Sequence, residues 1–459
     1  MTHGSLGFVL QAAELLSRRV PRLDDQELRR FVQSLLDRRE DFLRAIRDEG
    51  SPLYAIDTDT LVNRARQFRD AFSAVLPDTR VYYALKSNSH PTVATTLVRE
   101  GLGLDVSSGL ELESALNWGS RDIVFSGPGK RLDELKLAVD NADYVTVLID
   151  SFSELTKLER IAGQTGVSVR AGVRLATDES GLWRKFGIPL ASLSDFFEAA
   201  SRCKHVDLCG LQFHISWNLK PESQVIFIAR LGVELRQLEK KYRRSIRFID
   251  VGGGFWPEQG EWLQKAATPQ GIVQAALDEV EHEAFKHYKW SACSIAHFAD
   301  HISGALSRQL PEDVKCTICL EPGRWLCNDA MHLLLTVNDV KSSDLIITDG
   351  GTNAVGWERF ETDYFPVINL TRPDLREHEC LVAGSLCTPH DIWGYSYFGQ
   401  SIKEGDILLV PNQGAYTYSL RQEFIKPLPK CVELPTSIGP SNSTNLVENH
   451  GIKGQATNH

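Results

Sequence analysis

Polar residues that could carry out chemistry stand at the ends of short apolar runs along this chain. In VYYALKSN the apolar run leads directly into Lys86, and the run in CGLQFH ends at His214. Reading the end of each run gives the set Lys86, Asp105, Ser126, Arg174, His214, Gly252–Gly254 and Glu321. Each residue alone is compatible with an ordinary polar strand end. A lysine, a histidine, three glycines and an acid together favour one shared site.

These residue types suit a cofactor that carries a phosphate. Three consecutive glycines in IDVGGGF, at Gly252, Gly253 and Gly254, let backbone N–H groups approach an anion closely. Arg324 follows Glu321 by three residues and adds a planar donor suited to phosphate. A lysine that can form a Schiff base and a carboxylate that keeps a pyridine nitrogen protonated complete the set. The residues therefore predict a site for pyridoxal 5′-phosphate.

The pattern of the chain predicts a scaffold that would bring these strand ends together. Eight apolar runs lie between Val81 and Glu321: VYYAL, LGLDV, IVF, VTVLI, VSVRAGV, CGLQFH, RFIDV and TICLE. Helical patterns usually separate them, which indicates a parallel sheet. Eight repeats over about 240 residues are typical of a (β/α)8 barrel, whose active site lies at the carboxyl ends of the strands. A doubly wound open sheet remains the alternative.

The flanking segments predict a second domain. Asp24 to Gly50 has the periodicity of one or two amphipathic helices. Beyond about residue 330, the runs LLLTVNDV, DLIITDGG, CLVAGSL, DILLVP and KCVEL lack long helical patterns between them, which indicates a mostly antiparallel β domain. We expect N-terminal helices and a strand that joins the β domain (1–60), the barrel (61–330), the β domain (331–432) and a disordered tail (433–459).

Composition excludes several classes of function. A net charge of −10 and a sequence pI near 5.8 argue against nucleic acid or an anionic membrane as partner. We identify no membrane span and no signal peptide. Nine cysteines in apolar contexts favour the reducing cytoplasm. Cys316 and Cys319 have zinc-like spacing without a second pair, so we interpret them as thiols of a core strand and expect no metal.

Seven motifs occur together in this chain: YALKSN, GLDVSSGLELESAL, LQFHISWN, DVGGGF, EPGR, CTPHD and NQGAYTYS. In this combination, from about Pro52 to Pro429, the chain resembles the fold type III decarboxylases that use pyridoxal phosphate. That group contains the ornithine, diaminopimelate and arginine decarboxylases, and its fold is a barrel plus a β domain of the alanine racemase type. The resemblance implies that Lys86 binds the cofactor covalently, that His214 stacks on its ring and that Glu321 binds its pyridine nitrogen. It also implies that the phosphate is bound by Gly252, Gly253, Gly254, Arg324 and Tyr416.

Two positions depart from the pattern of the family. Many relatives continue the histidine motif with Gly-Ser, whose serine contacts the phosphate; here Ser216 is expected to take over that contact and Trp217 to narrow the pocket. Ornithine and diaminopimelate enzymes place an acid directly after the motif cysteine, to bind the far end of the substrate. This chain has Thr388 there. Cys-Thr-Pro-x-Asp resembles members from siderophore and antibiotic pathways, which decarboxylate conjugated or carrier-bound amino acids.

The resemblance implies an α-decarboxylase that makes an amine and CO2 in a biosynthetic pathway, acting on a diamino acid or on a conjugated or carrier-bound amino acid. An amino-acid racemase on the same fold and a non-catalytic regulatory homologue are the alternatives. The Cys-x-x-x-Asp motif favours decarboxylation. The resemblance also implies a homodimer in which Cys387, as proton donor, and Asp391, as substrate-positioning residue, complete the partner's site.

Overall fold

Three helices and one strand begin the fold. The computed structural model describes residues 3–17, 19–277, 284–356 and 362–436. The first elements are α1 (His3–Ser17), α2 (Asp25–Leu36), α3 (Arg39–Glu49) and β1 (Leu53–Ile56). The Asp24 side chain caps α2 by accepting the Glu27 N–H, and the helix buries Leu28, Val32 and Leu35. The predicted amphipathic segment is thus confirmed as two helices, α2 and α3.

A closed barrel of eight parallel strands forms the central part of the chain. The barrel strands are β2 (Thr79–Ala84), β3 (Gly103–Val106), β4 (Ile123–Phe125), β5 (Val145–Ile149), β6 (Val169–Leu175), β7 (Val206–Phe213), β8 (Phe248–Asp250) and β11 (Thr317–Leu320). Between β8 and β11 the chain forms a separate two-stranded ribbon, β9 (Glu261–Leu263) and β10 (Tyr288–Trp290). Strand β11 closes the barrel by pairing with both β2 and β8. The eight predicted runs are these strands, so the barrel is confirmed and the open sheet is excluded.

Helices cover the outside of the barrel and connect its strands. They are α4 (Thr58–Ser73), α5 (Pro91–Arg99), α6 (Gly109–Asn117), α7 (Leu132–Asp140), α8 (Phe152–Thr165), α9 (Leu193–Ala200), α10 (Glu222–Gln237), α11 (Lys240–Arg243), α12 (Pro269–Ala276), α13 (Ile295–Gln309) and α14 (Arg324–Cys327). Asp57, Ser108 and Ser151 cap α4, α6 and α8, each accepting a backbone N–H three residues further on. These caps fix where the helices begin and so hold the preceding loops in place.

Side chains fill the amino-terminal half of the barrel interior. Tyr82, Val124, Leu148 and Cys319 form a buried cluster against Phe248, which we call the apolar plug. Gly172 and Gly210 leave room for the Phe248 ring, because a Cβ atom on either glycine would overlap it. Successive side chains of a strand point to opposite faces, so the next inward position lies two residues further on, nearer the carboxyl end. Those positions line the open end of the barrel.

A second sheet of eight strands stands beside the barrel. It contains β1 together with β12 (Met331–Ser342), β13 (Leu345–Thr348), β14 (Val367–Asn369), β15 (Glu377–Ala383), β16 (Ile392–Phe398), β17 (Ile407–Val410) and β18 (Lys430–Glu433), in the order β13-β15-β16-β14-β17-β12-β1-β18. Most neighbouring pairs are antiparallel, as predicted; β1–β18, β13–β15 and β14–β16 are parallel. The predicted runs did not include β14 and β16. A hydrophobic cluster packs α2 and α3 against this sheet.

The second sheet extends to the end of the part that the structure describes. Strand β18 ends at Glu433, and Leu434 is buried. The rest of the predicted tail, residues 437–459, lies outside the described residues. Cys319 lies in β11 and Cys316 directly precedes it, in keeping with the interpretation as core-strand thiols. Among the helices within the described ranges, none is long and apolar enough to cross a membrane.

Candidate active site

A layer of buried polar side chains lies directly above the apolar plug. Each member follows an inward-facing residue of its own strand by two positions, and therefore also points into the barrel. The layer consists of Asp105, Ser126, Asp150, Arg174, Gln212, Asp250 and Glu321, none of which is more than 8% exposed. Because all eight strands are parallel, these groups meet at one end of the barrel. The fold thus concentrates charge and hydrogen-bonding groups at its carboxyl-terminal mouth.

Lys86 lies in a single turn of 3-10 helix, Leu85–Ser87, just beyond the end of β2. The Ser87 hydroxyl holds this turn by donating to the Ala84 carbonyl at 2.7 Å. The Lys86 amine donates to Asp105 Oδ2 at 2.9 Å, and the Ser126 hydroxyl donates to the other Asp105 oxygen. Burial lowers the pKa of Lys86, but the carboxylates of Asp105 and Glu321 outweigh it and raise that pKa above its usual value. The amine is held as a cation at the barrel mouth.

His214 follows β7 and is held as a neutral ring. Its Nδ1 atom accepts the Gly253 N–H at 3.1 Å, and Nε2 lies 3.2 Å from the Ser216 hydroxyl. An accepting Nδ1 carries no proton, which places the proton on Nε2. Burial is the main cause that lowers the pKa of His214, in agreement with the neutral form. The 3.6 Å approach of His214 Nδ1 to Glu321 is therefore not an ion pair.

Glu321 lies just beyond β11, fully enclosed in the polar layer. The Gln212 amide donates to both of its carboxylate oxygens at 3.3 Å. Burial raises the pKa of Glu321, but the positive charges of Lys86 and Arg174 help to bring it below its usual value. Glu321 is therefore a buried carboxylate that keeps its negative charge. Such a group can hold a proton on a basic ring nitrogen placed against it.

The three glycines after β8 allow backbone segments to approach closely. Gly252 and Gly254 have positive φ angles of 70° and 80°. A Cβ atom on Gly253 would overlap the Glu321 carbonyl oxygen, and one on Gly254 would overlap the Ile215 carbonyl. Glycine is thus required where the end of β8 meets Glu321 and the loop that contains His214 and Ile215.

Arg324 lies beside this glycine segment at the start of α14. Its guanidinium group lies over the rings of Trp256 at 4.5 Å, Tyr416 at 5.1 Å and Trp217 at 5.8 Å. The Trp217 indole donates to Glu261 and its side chain is 62% exposed, so it forms a wall near Arg324. An amine, a buried carboxylate, a segment that admits only glycine and an arginine form the donor set that pyridoxal phosphate requires.

Tyr416 lies in the segment that follows β17 of the second sheet, and its backbone has a positive φ of 58°. Its N–H donates to the Ser87 carbonyl at 2.7 Å, next to Lys86. The Asn88 side chain donates to the Gly414 carbonyl at 2.9 Å. These two bonds attach the Gly-Ala-Tyr segment directly to the lysine turn.

Cys387 lies in the turn between β15 and β16 and is exposed. Thr388 is half-buried, and its hydroxyl accepts the His390 N–H at 3.4 Å. Asp391 is 2% exposed; one of its oxygens accepts the Thr352 N–H at 2.7 Å and the other accepts the Leu386 N–H at 2.7 Å. Both carboxylate oxygens are thus engaged inside the chain, which favours a positioning role over the expected contact with substrate.

The structure brings most of the predicted residues to one mouth and adds three that the sequence analysis missed. Lys86, His214 and Glu321 are linked through the polar layer, and Arg324 and Tyr416 stand beside them. Cys387 and Asp391 belong to a separate turn of the second sheet. The missed residues are Asp150, a buried member of the polar layer, Gln212, which holds Glu321, and Asp250, which accepts the Gly252 N–H at 2.8 Å. Counting two residues on from each inward-facing apolar position would have found all three.

Comparison with known proteins agrees with this geometry. Residues 58–328 match the family described as "Pyridoxal-dependent decarboxylase, pyridoxal binding domain". The diaminopimelate decarboxylase of Methanothermobacter thermautotrophicus is 29% identical over 82% of this chain and 84% of its own length. The L-glutamyl-[BtrI acyl-carrier protein] decarboxylase of Niallia circulans is 27% identical over 80% of this chain and 85% of its own length.

Solved structures show the same fold. Diaminopimelate decarboxylase from Helicobacter pylori, complexed with L-lysine, has a TM-score of 0.69 and 23% identity, covering 86% of this chain and 94% of that one. Lysine/ornithine decarboxylase from Vibrio vulnificus, complexed with putrescine, has a TM-score of 0.66 and 21% identity, covering 87% of this chain and 98% of that one. At these identities the likeness supports the fold alone.

Proposed function

Since this chain belongs to the pyridoxal-dependent decarboxylase family and is an amino-acid carboxy-lyase that uses pyridoxal phosphate, we propose that its substrate is a diamino acid or an amino acid carried as a conjugate. The reaction releases CO2 and leaves an amine, as a step of a biosynthetic pathway. Lys86, held beside Asp105 at the barrel mouth, is the observation that carries the site assignment. Family membership favours decarboxylation over the racemase and the non-catalytic homologue.

The residues of the mouth divide the work between them in this proposal. Pyridoxal phosphate supplies the sink for the electrons of the broken C–C bond. Lys86 supplies the amine that holds the cofactor, and ionised Glu321 holds a proton on the pyridine nitrogen. Neutral His214, whose Nδ1 atom accepts the Gly253 N–H, would face the cofactor ring. Cys387 returns a proton to the α-carbon, and its exposed turn belongs to the partner's site in a homodimer.

The cofactor's phosphate lies, in this proposal, on the side of the mouth where glycine is required. The absence of side chains at Gly252, Gly253 and Gly254 lets the backbone approach closely, and, since the Gly252 and Gly253 N–H groups donate to Asp250 and His214, the phosphate contact falls to the Gly254 N–H. Arg324 offers the positive charge, and Tyr416 and Ser216 offer hydroxyls. The Ser216 hydroxyl also lies beside the His214 ring, so it can contact both that ring and the cofactor's phosphate.

The residue after Cys387 carries the proposal on substrate class. A cationic far end of a free diamino acid is best bound by a carboxylate, and Thr388 offers only a hydroxyl, which accepts the His390 N–H. A conjugate or a carrier arm has no such cation and does not need the carboxylate. The similarity to a decarboxylase named for a carrier-bound glutamyl group is consistent with this choice.

A cavity of about 300 Å³ beside His214 supports a substrate with an additional group. Its lining includes both apolar and polar side chains, among them Asp178, Trp183, His214, Ser216, Ile226 and Arg230. Ile226 is 61% exposed there, although it is apolar. We propose that this cavity receives the conjugated part of the substrate. Ile226→Glu should then raise KM for a conjugated substrate and leave KM for a free amino acid unchanged, whereas Ile272→Glu, at a 59% exposed isoleucine of α12, should change neither.

CO2 release from a panel of substrates tests the substrate class. The panel holds lysine, ornithine, diaminopimelate, arginine, acylated diamino acids and a carrier-bound glutamyl group. We expect the highest kcat/KM with a conjugated member. Thr388→Glu should raise kcat/KM for a free diamino acid by about tenfold, because it restores the paired carboxylate. Thr388→Gln, of equal size without charge, should not. A wild-type preference for a free diamino acid would overturn the conjugate proposal.

The proposal also covers assembly, domains and location. We propose a homodimer with shared sites, in which residues 61–330 bind the cofactor and residues 331–432 supply Cys387 and Tyr416. Residues 1–60 join the second sheet through β1, which pairs with β12 and β18. All nine cysteines are free thiols, which supports a cytoplasmic location.

A further inference from the structure

Asp250, at the end of β8, occupies an unusual position in the polar layer. One of its carboxyl oxygens accepts the Gly252 N–H at 2.8 Å. The other oxygen is fully buried and has no hydrogen-bond donor within the part of the chain that the structure describes. The same carboxyl lies in side-chain contact with Glu321, whose oxygens are acceptors as well. Two acceptor oxygens in contact repel each other unless a proton lies between them.

The charges around Asp250 favour its neutral form. It faces Gln212 on β7 and Cys319 on β11, its partners in the strand register, and neither carries a positive charge. Lys86 is bonded to Asp105, and Arg174 donates to the Ser126 carbonyl. His214 is neutral.

Burial and the two neighbouring carboxyl groups act in the same direction. Burial is the largest cause that raises the pKa of Asp250 well above its usual value, and the charges of Glu321 and Asp105 raise it further. Glu321 differs: the Gln212 amide donates to both of its oxygens, and although burial raises its pKa, the contact with His214 and the charge of Lys86 bring that pKa below its usual value. Of the two carboxyl groups in contact, Asp250 is therefore the one that takes the proton.

We propose that Asp250 is a neutral carboxylic acid and a positioning residue, which donates its proton in a hydrogen bond to Glu321 and fixes that carboxylate in the barrel mouth. Gln212 holds Glu321 from β7, and Asp250 holds it from β8. The mouth then presents one negative charge to the pyridine nitrogen instead of two. This inference rests on the proposed role of Glu321.

Infrared spectroscopy of the holoenzyme tests the protonation directly. The difference spectrum between wild type and Asp250→Asn at neutral pH should contain the C=O stretch of one buried, protonated carboxylic acid, which the variant lacks. The band should persist at pH values well above the ordinary range of an aspartate. A wild-type spectrum with only ionised carboxylates would overturn the proposal.

Two substitutions test the hydrogen bond. In Asp250→Asn the amide oxygen can still accept the Gly252 N–H and the amide nitrogen can donate to Glu321, so kcat should stay within about threefold of wild type. Asp250→Ala removes both bonds and should lower kcat about tenfold or more, since hydrogen bonds to charged groups are the stronger ones. An asparagine variant as impaired as the alanine variant would contradict the donor role.

The test separates this inference from the role of Glu321. Normal turnover in Glu321→Gln would contradict the proposed role of Glu321. The infrared band of Asp250 in the wild-type protein would not be affected by that result. Absence of that band, with turnover lost in Glu321→Gln, would remove only the inference on Asp250.

Discussion

Asp391→Ala perturbs a buried side chain that ties the cysteine turn to the rest of the second sheet. Its carboxylate accepts the N–H groups of Leu386 and Thr352, both at 2.7 Å, and the Thr352 hydroxyl at 3.0 Å. Leu386 directly precedes Cys387, so the bond to its N–H sets the direction in which the cysteine leaves the sheet. Asp391 and both of its partners, Leu386 and Thr352, are buried.

The magnitude follows from the groups that lose their acceptor. The substitution leaves two buried N–H groups unsatisfied, and each costs about 1–3 kcal/mol. We expect the free energy of unfolding to fall by about 3 kcal/mol, because the turn can relax toward water. A misplacement of the cysteine by about 1 Å can cost on the order of 100-fold in rate. We therefore expect CO2 release to fall at least about tenfold.

Three measurements check this prediction: urea unfolding, the steady-state rate of CO2 release, and the rate at which Cys387 is alkylated. Alkylation reports on the turn because Cys387 is exposed while the other eight cysteines are buried or half-buried, and a loosened turn should change its rate. Asp374→Ala is the matched control. Asp374 is exposed and accepts only the Arg376 N–H at 2.9 Å, so the loss should stay below about 0.5 kcal/mol. Unchanged stability together with a raised KM would refute the positioning role and favour a contact with substrate.

Four other outcomes follow from the site and its surroundings. Lys86→Ala should abolish turnover and remove the borohydride-sensitive absorbance of the bound cofactor, because no second amine is expected at the mouth. Glu321→Gln should fold and bind the cofactor but lose most of its rate, since a neutral amide cannot keep the pyridine nitrogen protonated. A mixture of inactive Lys86→Ala and Cys387→Ala chains should regain some activity, because one site of a mixed dimer is intact. Burial raises the pKa of Asp57, but contacts with Thr60 and Arg38 lower it below its usual value. The stability of wild type over Asp57→Asn should therefore be fully present at neutral pH and be lost as the pH falls below the ordinary range of an aspartate.

Controls and contrary results are specific to each experiment. Lys136→Ala, which removes a surface ion pair with Asp140, should leave the absorbance unchanged. Borohydride-sensitive absorbance that survives Lys86→Ala would assign the covalent link to another lysine. Near-normal activity of Glu321→Gln would show that Glu321 has only a structural role at the end of its strand. A mixed sample that stays inactive although its subunits exchange would contradict the shared site, and a pH-independent stability difference would contradict the account of Asp57.

Much of the fold was predictable because strand ends in a (β/α)8 barrel share one face. Alternating apolar runs and helical patterns were enough to place Lys86, His214, Gly252–Gly254 and Glu321 at a common mouth, whatever the details of packing. The spacing after Glu321 supplied Arg324, and the resemblance then supplied Tyr416 and Cys387. Strands β14 and β16 were missed: β14 is only three residues long, and the alternating polar and aromatic residues of β16 do not form a continuous apolar run.

The sequence by itself determined which residues can do chemistry and at which end of the barrel they meet, because residue type and strand order are local properties. Only the tertiary structure decided how they are paired. Gln212 and Glu321 are 109 residues apart, and Asp391 and Thr352 are 39 apart. Such contacts depend on the stagger between strands and on the path of the turns, which periodicity does not encode. The same register places Asp250 against Glu321 without a cation beside it, and thereby decides which of two identical functional groups keeps its charge.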